Sequence, residues 1–100
     1  MRASTVIQTV ICKRCLIAGR VQGVFYRGSA ARRARELGVR GYARNIPDGR
    51  VEVLACGTAA AVEEFVQWLW LGSSASQVSS VEVMDEPCDV AALPPGFTTA

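Results

Sequence analysis

Histidine is absent from this chain, and lysine is nearly so, with Lys13 the single lysine among eleven basic residues. The first absence removes imidazole-activated nucleophiles, histidine general bases and histidine metal ligands in one step. An enzyme built from this sequence must carry out chemistry that needs little proton shuttling. No stretch approaches the ~18 consecutive apolar residues of a transmembrane helix. The apolar letters of residues 5–11 are interrupted by Gln8 and followed by Lys13-Arg14, with no small-residue cleavage site, so they do not read as an export signal. These absences lead to the expectation of a soluble, cytoplasmic protein that does not engage a membrane.

Cysteine is present but sparsely motivated. Cys12-Lys13-Arg14-Cys15 has the spacing of a redox or zinc pair. It falls in an expected strand, where positions three apart face opposite ways, and no second pair accompanies it. With Cys56 and Cys88 it is read as part of a set of four free thiols in a reducing compartment. The net charge of +2 is weak support for a polyanionic partner. The arginine bias suits planar phosphate or carboxylate recognition, though genome composition produces the same bias.

One hundred residues, half of them hydrophobic, make one domain with one core. Residues 1–9 read as an N-terminal tail and residues 10–100 as a single domain. A first strand is expected over Val10–Ala18, with Ile11, Cys15 and Ile17 on its core face and Lys13 at its exposed beginning. A helix follows over Ser29–Leu37, with Ala30, Ala31, Ala34 and Leu37 as its apolar stripe. Gly38 stops it, and Glu36 has Arg32 and Arg40 at pairing distance. Strands over Gly41–Ile46 and Arg50–Cys56 flank Pro47-Asp48-Gly49, a turn in which proline pre-sets φ and glycine accepts a positive one. On the second of these strands Val51, Val53 and Ala55 alternate with Arg50, Glu52 and Leu54, giving one largely polar face. Thr58 caps a second helix over Ala59–Leu71, whose buried stripe is read as Val62, Phe65, Val66, Leu69 and Trp70, with Trp68 at the edge. A strand over Gln77–Asp85 turns Val81 and Val83 inward, and Phe97-Thr98-Thr99 is a candidate short edge strand. The order β-α-β-β-α-β predicts the ferredoxin-like α/β sandwich, an antiparallel sheet with both helices on one face.

Two stretches carry the chemistry. Gly19-Arg20-Val21-Gln22-Gly23-Val24-Phe25-Tyr26-Arg27 joins a strand to a helix, where backbone N–H groups converge and anions bind. Gly41-Tyr42-Ala43-Arg44-Asn45-Ile46-Pro47-Asp48-Gly49 is the second. Together they resemble the two signatures of the acylphosphatase family, over a span from about Cys12 to Met84. The resemblance implies that backbone N–H groups of Gln22, Gly23, Val24, Phe25, Tyr26 and Arg27 hold a phosphate, with the Arg27 guanidinium bidentate upon it. It implies that Asn45 orients an attacking water, and that acyl phosphates are hydrolysed to a carboxylate and inorganic phosphate with no metal and no other cofactor. That chemistry suits a chain without histidine. A carboxylate whose conjugate acid has a pKa of about 4 leaves without a general acid, and a loose phosphoryl transition state chiefly needs its oxygens stabilised and its nucleophile in line. A loop that grips only phosphate leaves the acyl half poorly specified, so broad selectivity is expected, from a monomer.

Departures from the family pattern are Ser73-Ser74, where a proline often stands, Lys13 at a usually apolar strand position, and the threonines of the C-terminal segment. The first two read as remote from both signatures. A nucleic-acid-binding module on the same fold is the competing reading, because Arg40-Gly41-Tyr42-Ala43 opens like an RNA-recognition motif. Arg44 then stands where an aromatic belongs, and nucleic-acid binding is not expected. A carbamoyl-phosphate-handling module of a larger maturation protein is a further alternative, and no Lys-Ser/Thr follows the glycines as a nucleotide P-loop requires.

Overall fold

A computed structural model describes residues 9–100. The tail expected over residues 1–9 therefore lies, apart from Thr9, outside the described residues. The elements run β1 (Val10–Arg20), α1 (Tyr26–Leu37), β2 (Arg40–Asn45), β3 (Val51–Thr58), α2 (Ala59–Leu71), β4 (Gln77–Glu86), a 3-10 turn (Val90–Ala92) and β5 (Phe97–Thr99). The sheet order is β4-β1-β3-β2-β5. The β-α-β-β-α-β order expected of the ferredoxin-like sandwich is therefore present, with one more strand. β5 lies parallel to β2, so the sheet is mixed rather than wholly antiparallel. The connection from β4 to β5 determines this, because it carries the chain back to the far edge of the sheet.

The alternation along β1 sends Cys15 and Ile17 to the helix side, where they meet Ala43, Val51, Val53 and Ala55 from the neighbouring strands. Ala30, Ala31 and Ala34 of α1 and Val62, Phe65 and Leu69 of α2 close over them. Small residues on α1 let that helix approach the sheet closely, while Phe65 supplies bulk and meets Phe97 of β5 edge-on at 5.5 Å between ring centroids. Thr58 caps α2 by accepting the N–H of Ala61, and Gly38 ends α1 in the left-handed conformation.

Several expectations need correction. Trp68, not Trp70, packs inward, lying against Tyr26 and Phe65, while Trp70 is half exposed. At ~100° per residue Trp68 falls ~60° from Phe65 around the helix and Trp70 ~140°. Val83 faces the helix layer but is 42 % exposed, because β4 is an edge strand that α2 covers only in part. Glu36 pairs with Arg33, which also reaches Glu64 on α2, and Arg40 instead donates to the Pro94 carbonyl. Helix α1 begins at Tyr26, three residues ahead of the expected Ser29.

The cysteines are not four free thiols. Cys12 and Cys56 are joined in a disulfide, and Cys15 and Cys88 are free. Cys12 and Cys56 stand directly opposite each other on β1 and β3, with Cα atoms 4.1 Å apart. Cys15, three residues on, points to the other face as the strand period requires.

The face of β3 read as polar is not left to solvent. Glu52 is only 5 % exposed and lies between Arg14 and Arg44, each at 2.5 Å. Desolvation pushes its carboxyl upward, but the two guanidinium hydrogen bonds outweigh it and hold the group below the usual carboxylate range.

Candidate active site

The turn after β1 is built by two constraints at its start. A bulge between Ala18 and Gly19 shifts the register with β4, and pairing resumes at Gly19 with Val78 and Arg20 with Gln77 before the strand ends. Gly19 has φ +125°, and a Cβ there would collide with the Gln77 carbonyl of β4, so only glycine lets the two backbones come this close. Val21 then plugs the turn into the core at 1 % exposure.

Gly23 (φ 75°) and Phe25 (φ 61°) are both left-handed, and Phe25 is the N-cap of α1 without a side-chain cap. Ser29 closes the first turn by donating to the Phe25 carbonyl at 3.0 Å. A left-handed residue leading into a helix start turns successive N–H groups to one side, which makes an anion-binding concavity. The first turn of α1 carries no acidic residue to oppose an anion.

Three contacts brace this turn. The Gln22 side-chain amide donates to the Ile46 and Arg50 carbonyls, both at 3.0 Å, tying the turn to the β2–β3 hairpin beside Asn45. The Ser73 hydroxyl donates to the Val24 carbonyl at 2.8 Å. Ser73 had read as remote from both signatures; the α2–β4 connection brings it against the first. The Tyr26 hydroxyl donates to the Leu69 carbonyl at 2.7 Å from a buried position, and that burial raises its pKa.

Val21, Gly23, Phe25, Tyr26, Arg27 and Gly28 border an open cavity of about 330 Å³, which Thr99 of β5 completes. Among the described residues Arg27 is the only charged one on its wall. Its Nη1 donates to the Ala100 carbonyl at 2.8 Å, leaving four of its five N–H donors for other partners. Thr99 and Ala100 are site neighbours that sequence reasoning did not assign. Their signal was the Phe97-Thr98-Thr99 strand, whose Tyr42 and Ala43 partners on β2 place it there.

The residues expected to share the site are thus divided. Gly23, Phe25, Tyr26 and Arg27 meet at the cavity, Gln22 turns aside as a brace, and Val24 packs partly against the core. Asn45 is exposed at the end of β2, opposite Val51. It is not on the cavity wall, and Gln22 links its hairpin to the turn. Cys15 offers no nucleophile, since burial pushes its thiol up to about 11. No cluster of three potential metal ligands occurs among the described residues. In the stretch that opens like an RNA-recognition motif, Tyr42 is covered by the Arg44 guanidinium at 5.6 Å.

Comparison with known proteins identifies the family and the fold. The acylphosphatase family model matches residues 13–98. An acylphosphatase from Nitrosococcus oceani is 59 % identical over 73 residues, 73 % of this chain and 82 % of the relative. The solved acylphosphatase of Coxiella burnetii superimposes with a TM-score of 0.86 at 29 % identity, covering 95 % of this chain and 99 % of that one. The Bacillus subtilis acylphosphatase superimposes with 0.84 at 31 % identity, covering 90 % and 98 %. With both signatures on adjoining segments of the predicted fold, the chain belongs to the acylphosphatase family.

Proposed function

We propose that this enzyme hydrolyses the carboxyl–phosphate bond of small acyl phosphates at the turn between β1 and α1. The observation that carries the reading is the cavity at the start of α1 with Arg27 on its wall, the only charged residue there among the described residues. The phosphoryl oxygens are received by the backbone N–H groups of Gln22 to Arg27. Two of the Arg27 N–H donors not given to Ala100 form a fork on the same group. Asn45 holds a water through its side-chain amide, in line with the bond to be broken.

The residues have little further work to do. Water attacks phosphorus, the P–O bond to the acyl group breaks, and the carboxylate leaves unprotonated. A phosphoryl oxygen accepts the proton the water loses, so no side-chain base is needed. The charge spread over the equatorial oxygens meets donors already in place, which is where preorganised donors act most strongly. The reaction so described uses no metal and no cofactor. We take the functional unit to be a cytoplasmic monomer formed by residues 10–100, acting on small molecules rather than nucleic acid.

Incubation with benzoyl phosphate, followed by the loss of its ultraviolet absorbance, tests the reading. Hydrolysis unaffected by chelator is expected. A folded sample that leaves the compound intact refutes it, and strong inhibition by chelator refutes the metal-free route.

A further inference from the structure

Phe25 combines three properties. It is the one non-glycine residue with positive φ among the described residues. It is the most exposed of the described large hydrophobic residues, at 87 %. It borders the same cavity as Arg27. A bulky side chain is disfavoured in the left-handed region that glycine enters freely. The neighbouring apolar side chains of the turn do not share its fate: Val21 and Tyr26 are each 1 % exposed. The left-handed backbone that ends the turn therefore points one aromatic ring outward at the mouth of the cavity while its neighbours are buried.

We propose that Phe25 is a specificity-determining residue whose ring forms the acyl-side wall of the site, selecting aromatic and bulky apolar acyl phosphates over small ones. This rests on the phosphatase reading above and narrows the broad selectivity expected of a loop that holds phosphate alone. The N–H groups around Gly23 and Phe25 take the charged end of the substrate, and the acyl group leaves that cradle across the cavity mouth. A methyl group offers the ring little surface there. A phenyl group desolvates against it and stacks. The other exposed apolar residues, Trp70, Leu71 and Val83, do not border this cavity.

The contact exists before and during bond breaking alike, so its loss appears chiefly in KM. The test compares kcat/KM for benzoyl phosphate and acetyl phosphate in the wild type, Phe25→Gly and Phe25→Asn. Both replacements accept positive φ and remove the ring. The readout is the ratio between the two substrates, because a distorted phosphate cradle lowers both together and leaves the ratio alone. The benzoyl-to-acetyl ratio is expected to fall roughly tenfold in both variants, mainly through KM for benzoyl phosphate. An unchanged ratio overturns the proposal, whether both rates fall equally or neither moves. Wild-type protein inert towards both compounds defeats the phosphatase reading and the proposal with it, whereas active wild type with an unchanged ratio defeats the proposal alone.

Discussion

Reduction of the Cys12–Cys56 bridge is expected to lower the stability of the fold by up to about 4 kcal/mol while leaving the active site intact. The bridge spans a sequence separation of 44. Closing a loop of that size in the unfolded chain removes entropy worth about 4 kcal/mol at 25 °C. For a chain of this length total stability is of order 5–15 kcal/mol, so the effect is a large share of it. Both residues are buried, at 5 % and 1 % exposure, on the floor of a cavity also bordered by Tyr42 and Pro94. The proposed site is insulated by distance, since the bridge lies at the start of β1 and the β1–α1 turn follows its end. At ~3.3 Å per residue that is ~26 Å along the strand. The assay is urea unfolding with and without reductant, with thiols counted in denaturant beforehand and initial rates on benzoyl phosphate measured at low urea. Untreated protein should titrate two thiols, Cys15 and Cys88, and reduced protein four. Four thiols in untreated protein would refute the bridge. Curves that agree within ~1 kcal/mol would refute the loop-entropy argument.

Arg27→Ala should cost at least ~3 kcal/mol in turnover, a factor above one hundred, with the fold retained by circular dichroism. Arg27→Lys should restore little, because a point charge does not reproduce a planar fork, and full rescue by lysine would show that charge alone suffices. Asn45→Ala should lower kcat by a similar factor while inorganic phosphate inhibits as before; equal loss of both would assign Asn45 to phosphate rather than water. Glu52, with its pKa held down in the folded state, contributes stability above its unfolded pKa that is lost as pH falls through its folded one. Glu52→Gln should cost about 2 kcal/mol at neutral pH and flatten the acid limb of a stability–pH curve. A limb of unchanged slope would show that other carboxylates govern acid unfolding.

The legible parts of this protein are those whose signal is local. The strand and helix order, the Pro47-Asp48-Gly49 turn, the Thr58 cap and the Gly38 stop each depend on residues within a few positions, and all stand as read. The two signatures were legible for the same reason, since each is a continuous stretch. What was misread depends on partners far along the chain. Cys12 meets Cys56 because two strands pair in one register. Ser73 meets Val24 because the end of α2 brings the chain against the β1–α1 turn. Trp68 rather than Trp70 is the exception, since its place ~60° from Phe65 around α2 follows from the helix period alone.

Residue order and type alone settled the family, through the resemblance of two continuous signatures, and the fold class, because period-two strands, helix stripes and turn residues leave short-range marks. They also proposed a phosphate site without histidine chemistry. The tertiary structure decided how that site is held and bounded. It brought Thr99 and Ala100 to Arg27, set Gln22 to bridge the turn and the hairpin, and turned the Phe25 ring outward over the cavity. The first two depend on the packing of segments 24 to 73 residues apart, for which a linear pattern contains no local mark, and the third on a backbone conformation that a phenylalanine in a sequence does not announce.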